Sequence, residues 1–224
     1  MTILYEDNHL IAINKRPGQI VQSDKTGDPC LVDELKAFIK QRDNKPGNVF
    51  VGLPHRLDRP TSGVLLLTKT DKALARINKL IHDRELHKTY WAIVRNKPPK
   101  ASDRLVHWLR KNEKQNKSYA SETEKDGWQK AELEYTLIAS SENYFLLEIR
   151  LITGRHHQIR VQLSEIGCPV RGDLKYGFER SNRDASISLH ARSLEFVHPI
   201  KNEPVSIVAD APDLFRFFFV SLHL

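Results

Sequence analysis

Cysteine, long apolar runs and low-complexity sequence are all scarce in this chain. Its two cysteines, Cys30 and Cys168 among 224 residues, offer no spacing for a zinc site or a disulfide framework. A reducing cytoplasm is therefore the expected setting. No apolar run approaches the roughly 20 residues that a membrane helix needs. The N-terminus lacks the basic head, apolar centre and small-residue cleavage site of a secretory leader. No repeat, biased tract or convincing linker interrupts the chain, so a single domain over residues 1–224 is the simplest expectation, acting as a monomer.

What is present is an ordinary globular composition with a basic bias. Apolar residues make up 40% and charged residues 28%, and 35 Lys and Arg against 28 Asp and Glu give +7. That balance favours a polyanionic partner. The surplus is concentrated. From Arg95 to Lys117 there are eight Lys or Arg against Asp103 and Glu113, a net of +6, with Trp108 in their midst. Lys111, Lys114 and Lys117 close this stretch. A charge run is usually a solvated face, but against a polyanion such as a nucleic acid it would displace counterions from phosphates.

Hydrophobic periodicity predicts strands at 3–5, 10–14, 89–94, 105–109, 131–138, 144–152, 188–197 and 205–209, and short extended runs at 20–21 and 50–53. A helical face recurs at 31, 32, 35, 38 and 39. Asp71 is the expected N-cap of a helix to about Asp83, with Leu74, Ile77, Leu80 and Ile81 on one side. Arg155 to Ile166 reads as a helix ended by Gly167, and Asp213 to Leu222 as a short aromatic one. Strands joined by hairpin-length turns, with helices between, predict an α+β fold: a mixed, largely antiparallel sheet with flanking helices.

The most informative stretch is His55 to Leu65, HRLDRPTSGVL. Asp58 stands between Arg56 and Arg59, Pro60 stops any helix, and Thr61-Ser62-Gly63 is expected to turn into the apolar run Val64 to Leu67. Guanidiniums beside a carboxylate keep it ionised at neutral pH. A rigid loop anchored by a strand holds it in place, as a catalytic group requires.

HRLDRPTSG resembles the signature of the RluA-type RNA pseudouridine synthases, and further matches follow in order along nearly the whole chain. Lys88-Thr89-Tyr90-Trp91-Ala92 is similar to a family strand. Gly154-Arg155-His156-His157-Gln158-Ile159-Arg160 resembles the family's G-R-x-H-Q-[IL]-R element. Gly172 to Gly177 resembles its G-D-x-x-Y-G loop, and Leu189-His190-Ala191 with His198-Pro199 its L-H-A and H-P elements. Asn14 to Gly18 resembles its N-K-P-x-G element, with Arg16 inserted before the proline. The match begins almost at Met1, so the small RNA-binding module that precedes the catalytic domain in some members is expected to be absent.

The resemblance implies isomerisation of uridine in RNA. The bond from ribose to N1 breaks, the base turns, and C5 is joined instead. No redox step and no added group enter, so the implied cofactor is none. Such an enzyme must extract the base from its stack and hold it away from water. By resemblance Asp58 is the catalytic aspartate, as nucleophile or as base. Tyr90 packs on the target base, with Trp91 expected on the opposite face of the strand. Arg160 pairs with Asp58 and keeps it charged. Arg56 enters the gap left by the flipped uridine, where a planar guanidinium can stack and still bond phosphate. Arg59, Lys15, Arg155 and His157 join the three lysines as expected RNA contacts. The adjacent histidines are not read as a metal site, because neighbours on a helix point apart.

Three other readings compete. A catalytically silent RNA-binding protein of the same fold has no use for a carboxylate facing phosphates. A hydrolase built on Ser62 lacks the strand-to-helix elbow that exposes such a serine. A glycosidase needs a second acid in a comparable motif, and none is evident.

Overall fold

The computed structural model describes residues 1–23 and 27–219. The fold is α+β with a largely antiparallel sheet, and packing separates two compact units. The first comprises Met1–Leu86 and Ser193–Ala209, the second His87–Arg192 and Asp210 onward.

In the first unit β1 (Thr2–Glu6) pairs antiparallel with β2 (Leu10–Lys15), which pairs antiparallel with β3 (Ser62–Thr68). Asp7 builds the first turn: Oδ1 accepts the backbone N–H groups of His9 at 2.8 Å and Leu10 at 2.7 Å. The register runs from Leu10 opposite Thr68 to Lys15 opposite Gly63. Leu10, Ala12, Val64 and Leu66 pack with Ala73 and Ile77 of α2 (Asp71–His82) and with Leu194, Phe196, Val205 and Ile207. The alternate residues Ile11, Ile13, Leu65 and Leu67 are equally buried, which explains the unbroken apolar run in β3. α1 (Leu31–Arg42) buries Leu31, Leu35 and Ile39, one stripe of a helix.

The second unit carries β4 (His87–Val94), β5 (Ser102–Asn112), β6 (Lys117–Ser121), β7 (Gln129–Ser140) and β8 (Phe145–Leu151) in the spatial order β4-β8-β7-β5-β6, every pair antiparallel. β9 (Leu189–Val197) gives its first four residues to this unit and the rest to the other, where β10 (Pro204–Val208) pairs with it. α3 (Gln158–Glu165), a 3-10 turn over Leu174–Tyr176 and α4 (Asp213–Phe218) complete the described elements.

Several boundaries differ from those expected. Thr70, not Asp71, caps α2: its Oγ1 accepts from Ala73 N at 3.3 Å, and Asp71 occupies the first turn, where its charge suits the helix dipole. The run at 50–53 contributes only a bridge between Gly52 and Thr68. Gly52 is required there, since a Cβ would come within 2.3 Å of Thr68 Oγ1. Residues 20–21 likewise supply a bridge, not a strand. α3 starts at Gln158 because His157 before it is left-handed, with φ 53. α4 buries Phe215, and Phe219 just after it is buried too, but Phe217 is exposed, and the expected end of that helix at Leu222 lies outside the described residues.

Candidate active site

The expected site residues fall into two groups, one in each unit. In the first unit Asp58 is partly exposed, on a turn closed by Thr61 N donating to Asp58 O at 3.0 Å. That turn centres on Arg59-Pro60. Ser62 and Gly63, expected in it, already belong to β3. The loop is tied down three ways. His55 Nε2 accepts from Leu66 N of β3 at 3.0 Å. Gly18 N donates to Arg59 O at 2.8 Å. Lys15 Nζ donates to the carbonyls of Arg59 at 3.0 Å, Thr61 at 2.6 Å and Arg16 at 3.1 Å.

Lys15 was expected to meet RNA, and its placement corrects that. It is 0% exposed, with its ammonium spent on three backbone carbonyls, so it has no surface to offer a phosphate. It braces the loop from beneath. Burial pushes its pKa down to about 8, while the charge of Asp58 draws it back up. That attraction is mutual, so the ammonium is a cation that favours the charged carboxylate. Arg59 is exposed and turned elsewhere: Nε donates to Gly18 O at 3.1 Å, and Nη2 lies 3.3 Å from Asp28 Oδ2. Arg56 is exposed.

In the second unit the strand register decides which side chains share a face. Tyr90 lies opposite Ile149, and Ile149 opposite Tyr135. Tyr90 is therefore on the sheet face with Leu133, Leu109 and Ala131, the face against which Val161 of α3 packs. Trp91 points the other way, as expected. It packs with Phe215 and Phe219, and its Nε1 donates to Glu148 at 3.2 Å. Tyr90 is 7% exposed.

Arg160 is buried in α3. Its Nε donates to Asp173 Oδ2 at 2.7 Å and its Nη2 to Oδ1 at 2.9 Å, a side-on bidentate pair. Within its own unit, then, the carboxylate that aims this guanidinium is Asp173. Asp173 follows Gly172, whose φ of +87 and 2.8 Å clearance from Ser186 O exclude any side chain. Tyr176 locks the same corner. The Arg160 guanidinium lies 5.0 Å and the Lys117 ammonium 5.3 Å from its ring centre, while its hydroxyl accepts from Ser118 N at 2.8 Å.

His157 Nδ1 lies 2.8 Å from the Tyr176 hydroxyl. The rings of His156 and His157 stack at 3.7 Å, where side chains pointing apart were expected, because the left-handed residue precedes the regular helix. Arg155 is exposed and donates from Nε to Lys130 O at 3.2 Å. The Gln158 side chain binds this turn to β7. Its Nε2 donates to Glu132 O at 3.0 Å, and its Oε1 accepts from Arg155 N at 3.0 Å.

The basic stretch is the hairpin of β5 and β6, turned by Glu113 to Asn116. Lys111 and Lys114 are exposed, and Lys111 also pairs with Glu113 at 2.7 Å. Sequence reasoning did not pick out Asp173 or Tyr176 as site supports, although both stand in the G-D-x-x-Y-G element. It also passed over His55 and Lys88. A buried partner for Arg160 was the available signal, since an arginine inside a helix core needs one.

An acid presented on a braced turn and a basic strand hairpin suit an enzyme that works on a polyanion. Comparison with known proteins makes the class specific. Residues 9–165 match the family model described as RNA pseudouridylate synthase. The ribosomal large subunit pseudouridine synthase D of Zymomonas mobilis is 32% identical over all of this chain and 73% of its own length. The tRNA pseudouridine synthase C of Pectobacterium carotovorum is 30% identical over 95% of this chain and 60% of its own. Among solved structures, human RNA pseudouridylate synthase domain containing 4 is similar with a TM-score of 0.78 at 27% identity, covering 99% of this chain and 92% of that one. The chain belongs to the RNA pseudouridylate synthase family, and is an RNA pseudouridine synthase, an isomerase.

Proposed function

We propose that the enzyme converts a specific uridine of ribosomal or transfer RNA to pseudouridine, with Asp58 as the reacting carboxylate. The observation that carries this is the Asp58 turn: partly open to solvent, yet fixed from β3, from Gly18 and from the buried Lys15 ammonium. Fixing a reactive group costs conformational entropy before the substrate arrives, and the reaction then does not bear it. Tyr90 carries the flipped base by stacking, and Arg160 holds the reacting carboxylate charged. Arg56 fills the vacated stack. Arg59, Arg155, His157 and the lysines at 111, 114 and 117 grip phosphates. Both units serve one catalytic domain, which works as a cytoplasmic monomer and recruits no cofactor.

The relatives' names include both ribosomal and transfer RNA enzymes, so both substrates enter the test. Unmodified transcripts of each carry tritium at uridine C5. Joining C5 to the ribose must expel that hydrogen, so the wild type releases label to water. Asp58→Asn abolishes release and keeps RNA binding within about threefold, because it removes charge from the reaction and not from the grip. Turnover by Asp58→Asn, or a wild type that binds both RNAs and releases nothing from either, refutes the reading.

A further inference from the structure

Lys88 is a charged side chain on a face where its strand neighbours are Tyr90, Ala92 and Val94, all buried. The two-residue spacing puts its Cα about 6.7 Å from that of Tyr90 on the same side of β4. Its ammonium lies 3.9 Å from the point where a Cβ would stand on Gly154, at the opening of the Gly154–Arg160 element. Among the described residues it makes no hydrogen bond and no ion pair. Burial alone lowers its pKa to about 8.

The bland account is a lysine whose stem fills space while its head reaches water. Here, though, the side chain is half-buried, and its ammonium is held over the Gly154 backbone beside the buried Tyr90. A methionine of similar length would cover the same apolar surface with no charge to desolvate, so the ammonium is a stability cost without a resident partner. Such a group is explained by a partner that comes with the substrate. In either role of Asp58 the electron pair of the bond between ribose C1′ and N1 departs with the base. Resonance then puts negative charge on the uracil oxygens. A cation already placed beside the base stabilises that charge with little reorganisation.

We propose that Lys88 is a further substrate-contacting residue, its ammonium meeting an oxygen of the uracil that Tyr90 carries. The proposal rests on the reading of Tyr90 given above. The test is Lys88→Met in single-turnover release of label from the same tritiated ribosomal and transfer RNA transcripts, with RNA affinity and melting temperature measured alongside. The rate at saturating RNA is expected to fall at least about tenfold, affinity to stay within about threefold, and melting temperature to hold or rise. Lys88→Arg, which keeps the charge, restores part of the rate. A smaller fall in rate overturns the proposal. So does a defect confined to affinity with a shallower salt dependence, which would mark a phosphate contact, or a lowered melting temperature, which would mark a structural lysine. A wild type that releases no label defeats the proposed function itself. An active wild type matched by Lys88→Met defeats only this assignment, and an unaffected Tyr90→Ala defeats the base platform on which it stands.

Discussion

Replacing Asp173 by Asn should unsettle both the stability and the chemistry of this enzyme. The substitution keeps the shape of the side chain and removes the charge that two guanidinium N–H groups of Arg160 now meet at 2.7 and 2.9 Å. Both partners are nearly inaccessible to water, at 5% and 1% exposure, so solvent cannot replace the missing partner. Breaking one side of a buried pair costs about 3–5 kcal/mol, because a charge is left behind in a poor solvent. For a chain of this size each 1 kcal/mol moves the melting temperature by roughly 2–4 °C. The expected drop is therefore on the order of 6–20 °C. Scanning calorimetry of the wild type, Asp173→Asn, Arg160→Met and the double variant Asp173→Asn/Arg160→Met measures it. The double variant should recover part of the loss, since it no longer buries the cation that Asp173 neutralised. Release of label from tritiated RNA should fall with the single variant, as the Asn no longer aims the guanidinium. A drop below about 1 kcal/mol, or a double variant that merely sums the two single losses, would refute the claim that this pair is a coupled, desolvated unit.

Three further expectations follow from the same geometry. Lys15→Met takes away the donor that joins the carbonyls of Arg16, Arg59 and Thr61; even a 1 Å shift of Asp58 should slow label release by about 100-fold while filter binding of RNA persists, and an unchanged rate would show that the loop holds without its brace. Glu132 is held at a pKa of about 2, against 4.5 ordinarily, first by its bond to Lys130 and then by Arg104. A lowered folded pKa gives stability that is complete above pH 4.5 and is lost as pH falls toward 2, so melting curves of Glu132→Gln should lose part of that acid slope, whereas parallel slopes would mean the pairs contribute nothing. Neutralising Lys111, Lys114 and Lys117 should flatten the plot of log affinity against log salt by about 0.7–0.9 for each phosphate no longer neutralised, and an unchanged slope would remove this hairpin from the RNA interface.

Much of the fold was legible because its signals are local. The helical face read at 31, 32, 35, 38 and 39 needs only a 3.6-residue period; Leu31, Leu35 and Ile39 of it are buried, whereas Phe38 is exposed. The opposite facing of Tyr90 and Trp91 needs only the pleat of a strand. Errors gathered where a nearby group competes. A threonine displaced the expected aspartate as the cap of α2, and a left-handed histidine delayed α3 by a turn. The family was also legible, since the stretch around Asp58 on its proline-stopped loop and the arginine-ended element at 154–160 are short, unusual strings.

The sequence by itself therefore determined most of the elements and the family, because each is written in residues adjacent along the chain. Tertiary structure alone decided who neutralises whom. Arg59 flanks Asp58 in sequence yet turns to Gly18 and Asp28, while Lys15, distant in sequence, is drawn toward the Asp58 charge from beneath. Arg160 takes Asp173, 13 residues later, as its bidentate partner. Charge pairing depends on distance through space and on how much water lies between, and neither quantity exists until the strands have set their register.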